Sequence, residues 1–134
     1  MTVGYSGTPL AKKLGLKPWL RAWWDGMPAS VVAEIGETGI VLLDRPEAPI
    51  DVAHIFVTAP VYMEEKLAAL RPLLAPAGFI WVSWPKKASN VPTDITEDVI
   101  RAATVADTDL VDVKVCAVDA IWSGLKLMIR RERR

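Results

Sequence analysis

The stretch of sequence that decides the fold is GFIWVSWPKKAS, residues 78–89. Its first seven residues are mostly large, apolar and either aromatic or β-branched, a composition that favours a buried strand. A proline, two lysines and a serine then end the strand abruptly. Ligands of open α/β sheets bind just outside the carboxyl ends of the strands. The stretch therefore predicts a central strand at 79–84 and a candidate ligand site directly after it.

Strand and helix patterns alternate around this stretch. Apolar runs that stop at turn residues predict three further strands, at 19–24, 39–43 and 52–57, the second of them buried. Start and stop signals, or apolar residues at spacings of three and four, predict helices at 8–14, 29–35 and 61–74. Another helix follows the lysines, and Thr93 or Asp94 is its predicted N-cap because Glu97 and an apolar face come next.

The C-terminal part differs, since residues 110–118 and 122–129 are two strand patterns separated by only a few residues. Too little chain lies between them for a helical crossover, so we predict an antiparallel pair. The link from 39–43 to 52–57 is also too short for a crossover, so the strand at 39–43 is either a short edge strand or antiparallel to the next. The sequence predicts a single domain over residues 1–134, a three-layer α/β fold whose sheet of about six strands is mostly parallel.

Composition limits the classes of function. The length of 134 residues suits one domain, and 16 basic against 16 acidic side chains leave no net charge that would attract nucleic acid or an anionic membrane. Cys116 is the only cysteine, which favours a reducing compartment. Residues 1–7 lack the pattern of a leader, and no apolar run is long enough to span a membrane. We therefore expect a cytoplasmic protein without a membrane partner, and homo-oligomerisation stays open.

The order of the predicted helices and strands resembles that of a known fold. A short helix before the first strand, then parallel strands and a closing antiparallel pair, resembles the Rossmann-like fold of S-adenosylmethionine-dependent methyltransferases in a truncated form. Local stretches are similar to an uncharacterised family of short bacterial proteins, a domain of unknown function: GYSGTPL at 4–10, WPKKAS at 84–89, KVCAVD at 114–119 and WSGL at 122–125. The first resemblance implies a methyltransferase-like scaffold. The second implies a bacterial origin and supplies no activity.

Two features depart from the methyltransferase pattern. Such enzymes resemble one another in a Gly-rich turn after the first strand, whereas residues 25–28 here are DGMP, with one glycine and a proline that removes an amide donor. The short link after 39–43 also removes part of the wall of a cofactor site. Asp44, however, matches the position at which the family's acidic residue holds the ribose hydroxyls, and its alternative role is that of a solvated loop residue.

If the strands at 19–24, 52–57 and 79–84 are parallel, their carboxyl ends meet at one edge. The candidate ligand-binding residues at this edge are Asp25, Gly26, Thr58, Trp84, Lys86, Lys87, Ser89 and Asn90. The lysines supply positive charge, and the start of the following helix adds free amides. Most of the tryptophans are expected in the core, but Trp84 and Trp24 lie at strand ends near this edge, where an indole can either stack on a planar ligand or pack. We predict a small anionic ligand here, and the alternative is a solubilising loop that prevents edge pairing.

No catalytic residue is predicted. Ser89 has no evident base, because the only histidine, His54, falls in a buried strand where we expect it to be packed or hydrogen-bonded. No metal centre is predicted, since a second histidine is absent and the lone Cys116 has no suitable carboxylates nearby in sequence. The leading hypothesis is a non-catalytic protein that binds a small ligand or a partner without a cofactor. The alternative is a small S-adenosylmethionine-dependent methyltransferase with Asp44 in its cofactor site.

Overall fold

The computed structural model describes residues 7–105 and 107–134. Its strands are β1 (Arg21–Asp25), β2 (Val41–Leu42), β3 (Ile50–Phe56), β4 (Leu74–Pro85), β5 (Leu110–Ala117) and β6 (Trp122–Ile129). Its helices are α1 (Leu10–Lys13), α2 (Ala29–Ile35), α3 (Pro60–Leu70) and α4 (Glu97–Thr104). Each predicted strand and helix is present, although several of their ends are shifted.

The strands form one six-stranded sheet in the order β2-β1-β3-β4-β6-β5. Strands β2, β1, β3 and β4 are parallel, and β6 runs antiparallel to both of its neighbours, β4 and β5. This confirms the predicted α/β fold with a mostly parallel sheet and a C-terminal antiparallel hairpin. From β1 the chain moves outward to β2 and then returns to β3 on the other side of β1. The strand order therefore reverses between β1 and β3.

Strand β2 resolves the direction that the sequence left open. It is a two-residue edge strand parallel to β1, with Val41 paired to Arg21 and Leu42 to Ala22. The prediction of a buried strand is wrong here, because Val41 is 39% and Leu42 is 54% exposed. Leu42 pairs with Ala22, and Ala22 pairs with Val52 near the start of β3. The link at 43–49 therefore spans only a short distance. A link of that kind needs no helix.

The N-cap of α4 also differs from the sequence-based expectation. Thr96 is the cap, and its Oγ1 accepts a hydrogen bond from the Val99 amide at 3.2 Å. Thr93 and Asp94, the predicted caps, lie before the helix and are bound to another strand end. The Thr93 hydroxyl and the Asp94 amide both donate to the carbonyl of Thr58, at 2.8 and 3.2 Å. Because both residues form long-range hydrogen bonds with Thr58, neither of them caps the helix.

The sheet separates two hydrophobic clusters. The cluster under α3 and α4 is mostly aliphatic and includes Ile55, Met63, Leu67, Ile80, Ile100 and Leu127. The cluster under α1 and α2 is rich in rings and includes Phe56, Phe79 and Trp81, with Trp24 and Trp122 packed against it. Neighbouring residues of a strand point to opposite faces, so β3 and β4 contribute to both clusters.

The expectation of a leaderless N-terminus concerns residues 1–7, of which 1–6 lie outside the described residues. Within the described ranges, no helix is long and apolar enough to cross a bilayer. The longest of these helices, α3, has 11 residues, whereas a transmembrane helix needs about 20.

Candidate functional site

The candidate site lies at the carboxyl edge of the parallel strands. The register pairs Asp25 with Ile55 and Phe56 with Ser83, so β1, β3 and β4 end at the same edge. The segments that follow these strands, which begin at Gly26, Val57 and Lys86, therefore leave the sheet side by side. This is the arrangement of strand ends that the sequence predicted.

At the end of β1, Asp25 and Gly26 have different surroundings. The Asp25 carboxylate forms an ion pair with Lys66 of α3 at 2.6 Å. Gly26 has a φ of +72°, a conformation that favours glycine. A Cβ atom on Gly26 would lie 3.4 Å from the carbonyl oxygen of Phe56. Gly26 thus lets the turn after β1 pass close to the end of β3, whereas the Asp25 carboxylate is already paired with Lys66.

The loop after β4 is held in place by its own backbone and by Ser89. The Lys86 amide donates to the Ile121 carbonyl at 2.6 Å. The Ser89 hydroxyl donates to the Lys86 carbonyl at 2.6 Å and accepts from the Val91 amide at 3.2 Å. Because these bonds occupy the hydroxyl as donor and acceptor, Ser89 shapes the turn. Asn90, with φ +61°, ends this turn in an exposed position.

Positive charge remains available on this loop. Among the residues that the structure describes, neither Lys86 nor Lys87 forms an ion pair. Lys87 is exposed and Lys86 is partly exposed. Thr58, across the edge, is exposed too, although its carbonyl already accepts the two hydrogen bonds from Thr93 and Asp94. The loop therefore offers ammonium groups to an anion more readily than hydroxyl groups.

The two tryptophans predicted to stack on a ligand are positioned differently from each other. Trp84 is only 7% exposed and belongs to the cluster under α3 and α4, so its ring offers little surface to a ligand. Trp24 is half-buried, and its ring meets the ring of His54 edge-on at a centroid distance of 6.2 Å. Trp24 also lines a cavity of about 410 Å³ beside α2 and Leu42.

Asp44 lies two residues beyond the end of β2. Because Leu42 pairs with Ala22, β2 stops three residues short of the end of β1 at Asp25. Asp44 is exposed and lines an open cavity of about 570 Å³ together with Arg45 and Glu47. This cavity and the lysine loop have no lining residue in common, so the structure does not place Asp44 and the lysines around one cavity.

His54 of β3 and Ser83 of β4 form a buried polar pair that the sequence predicted only in part. His54 and Ser83 are both fully buried, and the His54 Nε2 lies 2.7 Å from the Ser83 Oγ. The His54 ring stacks on Phe56 at a centroid distance of 4.4 Å. Burial lowers the pKa of His54 to about 3, so the imidazole is neutral at ordinary pH. A hydrogen-bonded core histidine was expected, but its serine partner was not.

The burial of this pair decides what it can do. A serine next to a neutral imidazole is the arrangement of an activated nucleophile. Here, however, neither side chain reaches solvent, so no substrate can contact them in this conformation. The Nδ1 of His54 finds no hydrogen-bond partner among the described residues. The pair is a structural element of the core, and its sequence signal was the serine at a buried position of β4.

A cavity between α3 and α4 also lies outside the predicted site. It measures about 390 Å³ and is lined by Leu67, Arg71 and Leu110 among others. Arg71 forms two hydrogen bonds with Asp109, at 2.7 and 2.6 Å. This bidentate contact lowers the pKa of Asp109 and raises that of Arg71, so both groups stay ionised and paired. Within the described ranges, no group of three or more potential metal ligands comes together.

Comparisons with known proteins are informative at the level of structure. No protein-family model matches this chain, and a search of curated proteins gives no significant match. A protein from Sulfolobus solfataricus assigned to the type 11 methyltransferases superposes with a TM-score of 0.61 and 10% identity, over 96% of this chain and 94% of its own.

Two other solved structures have the same fold. The ribosomal protein L11 methylase of Lactobacillus delbrueckii subsp. bulgaricus gives a TM-score of 0.54 and 13% identity, over 90% of this chain and 75% of its own. LepI in complex with S-adenosylmethionine superposes with a TM-score of 0.57 and 11% identity, over 95% of this chain and 48% of its own. At these identities the likeness concerns the fold alone. This chain has the methyltransferase-like Rossmann fold that the order of its elements implied.

Proposed function

We propose that this chain is a small S-adenosylmethionine-dependent methyltransferase that binds its cofactor outside the carboxyl ends of β1 and β3. The observation that carries the proposal is the reversal of strand order between these two strands. Open α/β sheets bind their ligands at such a reversal. The same fold, over 90–96% of this chain, occurs in methyltransferases and in LepI bound to S-adenosylmethionine. This favours the cofactor-dependent hypothesis over the non-catalytic one.

Two residues near the reversal suit an adenosyl cofactor. Gly26 has a positive φ and no side chain to hinder a ligand that lies against the backbone. Asp44 has an exposed carboxylate beside an open cavity, and a carboxylate can accept hydrogen bonds from both ribose hydroxyls. Pro28, in contrast, supplies no amide donor. We therefore expect the affinity to be lower than that of a site with a Gly-rich turn.

The lysine loop has a separate role in this proposal. When bound, the cofactor supplies an electrophilic methyl group, and the chain has to hold the acceptor in line with it. Lys86 and Lys87 have no carboxylate partner among the described residues. They would hold an acceptor that carries a phosphate or carboxylate.

Thermal unfolding with and without S-adenosylmethionine or S-adenosylhomocysteine tests cofactor binding. A ligand at 100 times its Kd stabilises the folded state by about 2.7 kcal/mol, which raises the melting temperature. Asp44→Asn should reduce this increase. Asp98→Asn, a change at a side chain that is 97% exposed on α4, should leave it unchanged. No increase in melting temperature at a large excess of either compound would contradict the proposal.

A specific observation favours a second function, that of a non-catalytic anion-binding protein. The Asp25 carboxylate is paired with Lys66 and is not free to act as a base, and the Ser89 hydroxyl is occupied by its own turn and is not free to act as a nucleophile. Lys86 and Lys87 remain, and neither forms an ion pair within residues 7–105 and 107–134. Calorimetric titration with inorganic phosphate and nucleotides should show binding that Lys86→Ala/Lys87→Ala abolishes. Lys12→Ala/Lys17→Ala, at two other exposed lysines, is the matched control. Phosphate binding without any response to S-adenosylmethionine would favour this second function.

A further inference from the structure

Two lysines face each other on the C-terminal strands. The register of β5 and β6 pairs Lys114 directly with Lys126. Like charges in facing positions destabilise an antiparallel pair. A lysine on an edge strand prevents pairing with another chain, which accounts for Lys114 on β5. It does not account for Lys126, because β6 lies inside the sheet between β4 and β5.

An irregularity in β5 turns the carboxylate of this strand away from the two lysines. The register shifts so that Asp112 lies opposite Leu127, whereas Lys114 lies opposite Lys126. Leu127 and Lys126 are neighbours in β6 and therefore point to opposite faces of the sheet. On its own face, Asp112 binds Arg101 of α4 at 2.9 Å. A regular strand would place Asp112 on the face of the lysines, so the irregularity re-aims the carboxylate.

Lys126 is held in place by an aromatic ring. Its Nζ lies 4.2 Å from the centroid of the Phe79 ring, and Phe79 belongs to the hydrophobic cluster under α1 and α2. Burial, and after it the charge of Lys114, lowers the pKa of Lys126. Both causes disfavour the charged ammonium form. An anion held between the two lysines would favour that form and offset their repulsion.

A third ammonium group comes from α1. The Lys13 Nζ donates to the carbonyl of Ala117, the last residue of β5, at 2.8 Å. An ammonium group has three N–H donors, and this bond uses one of them. Burial raises the pKa of the Cys116 thiol, and the charges of Lys13 and Lys114 oppose this rise. Lys13 and Lys114 therefore both lie near the Cys116 side chain.

Lys13, Lys114 and Lys126 are together called the three-lysine cluster. Lys114 is exposed, and the other two side chains are partly exposed. Within residues 7–105 and 107–134, none of the three forms an ion pair. Three positive charges thus converge on an accessible part of the sheet, and no carboxylate in the described part of the chain neutralises them.

From these observations we propose that the three-lysine cluster binds a compact anion that carries at least two phosphate groups. Ammonium groups bind phosphate as point charges, and an anion with several charges is needed to balance three of them. Contacts with Phe79 and Ala117 position two of the ammonium groups before the ligand binds, which lowers the entropic cost of binding. The inference does not depend on the proposed function, because β4 separates β6 and β5 from β1 and β3.

An NMR titration of the full chain with pyrophosphate at low ionic strength tests the location of the site. The amide signals of residues 114–116 and 126 should shift and reach saturation, because a bound anion changes their electrostatic surroundings. Sodium chloride at equal ionic strength screens charges without occupying a site, so it should give no saturable shifts. Shifts confined to residues 86–89 would place the anion at the lysine loop and overturn the inference. Shifts that sodium chloride reproduces would overturn it as well.

Two double variants separate the three-lysine cluster from lysines in general. Lys114→Gln/Lys126→Gln removes the repulsion between facing charges, so without ligand it should fold at least as stably as the wild type. Its affinity for pyrophosphate in the same titration should be at least about tenfold lower. Lys12→Gln/Lys17→Gln, at two exposed lysines outside the cluster, is the matched control and should keep the wild-type affinity. Equal affinities of the wild type and Lys114→Gln/Lys126→Gln would rule out this site.

Discussion

The two faces of the sheet are stabilised in different ways. Under α3 and α4, side chains such as Ile55, Ile80 and Leu127 form an aliphatic cluster. Under α1 and α2, the rings of Phe56 and Trp81 surround the hydrogen-bonded pair of His54 and Ser83. The first face depends on volume and burial, which many sequences can satisfy. The second depends on a buried polar contact with one geometry, so it responds to hydrogen bonding and to pH.

The Trp81 side chain illustrates how the second face is connected. Its Nε1 donates to the Leu14 carbonyl at 3.0 Å, which ties β4 to the end of α1. Gly124 of β6 lies behind it, and a Cβ there would be 3.2 Å from both Trp81 and the Ser83 Oγ. The ring face thus links the N-terminal helix to three strands through specific contacts. These contacts are made by residues that precede the carboxyl ends of β3 and β4. They therefore help to hold in register the strands that form the candidate site.

The largest effect is expected on the aliphatic face. Ile80→Ala removes a fully buried side chain from the middle of β4. Such truncations cost about 2–5 kcal/mol, because transfer free energy is lost and a cavity remains. The free energy of unfolding in urea should fall by that amount and should do so equally at pH 7 and pH 5. Val115→Ala, on the exposed side of β5, is the control and should change stability little. A loss below about 1 kcal/mol for Ile80→Ala would show that the aliphatic face repacks freely.

The ring face should respond to pH. Burial lowers the pKa of His54 in the folded chain from its ordinary value of 6.5 to about 3, so below pH 6.5 the unfolded chain binds a proton that the folded chain does not. Stability is therefore complete above pH 6.5 and falls as the pH drops toward 3. The slope is about 1.4 kcal/mol per pH unit, or about 2–3 kcal/mol between pH 6.5 and 4.5. The chain has one histidine, so no other imidazole contributes to this range.

The histidine variant makes the pH prediction specific. His54→Gln retains a hydrogen-bonding side chain and cannot titrate, so urea unfolding of this variant should show no slope between pH 6.5 and 4.5. The pKa values of Asp109 and Asp112 are held low by hydrogen bonds from Arg71 and Arg101. Their contribution is lost only at lower pH, as the pH falls through those depressed values. An equal slope in His54→Gln and the wild type would show that His54 is accessible to protons in the folded chain.

The sequence predicted the elements because their signals are local. The strand at 79–84 was evident from its own composition, and the Gly36 and Gly15 positions beyond the short helices have the positive φ values that end them. The antiparallel C-terminal pair followed from the short distance between its strands. The common edge of β1, β3 and β4 was expected on the condition that these strands are parallel, whereas the order of the strands within the sheet was not predicted.

Contacts between distant residues could not be predicted in this way. His54 meets Ser83 across 29 positions, and Asp25 meets Lys66 across 41. Both depend on the register of β3 and β4 or on the placement of α3, which no local pattern specifies. The same limit applies to Trp84, whose position at a strand end suggested exposure but whose side chain points into the aliphatic cluster. A short edge strand at 39–43 was one of the two alternatives that the sequence left open, but its exposure was not predicted, because its residues are apolar and an apolar run was assumed to be buried.

The smallest of these effects isolates the polar pair. Ser83→Ala removes the one hydrogen-bond partner that the Nε2 of His54 has within the described part of the chain, and an unsatisfied buried group costs about 1–3 kcal/mol. His54→Phe alone leaves the Ser83 hydroxyl unpaired in the same way. The double variant leaves no polar group unsatisfied, so its free energy of unfolding should fall by less than the sum of the two single losses. If the losses add, the two faces do not differ in kind, since the ring face would then respond to volume alone.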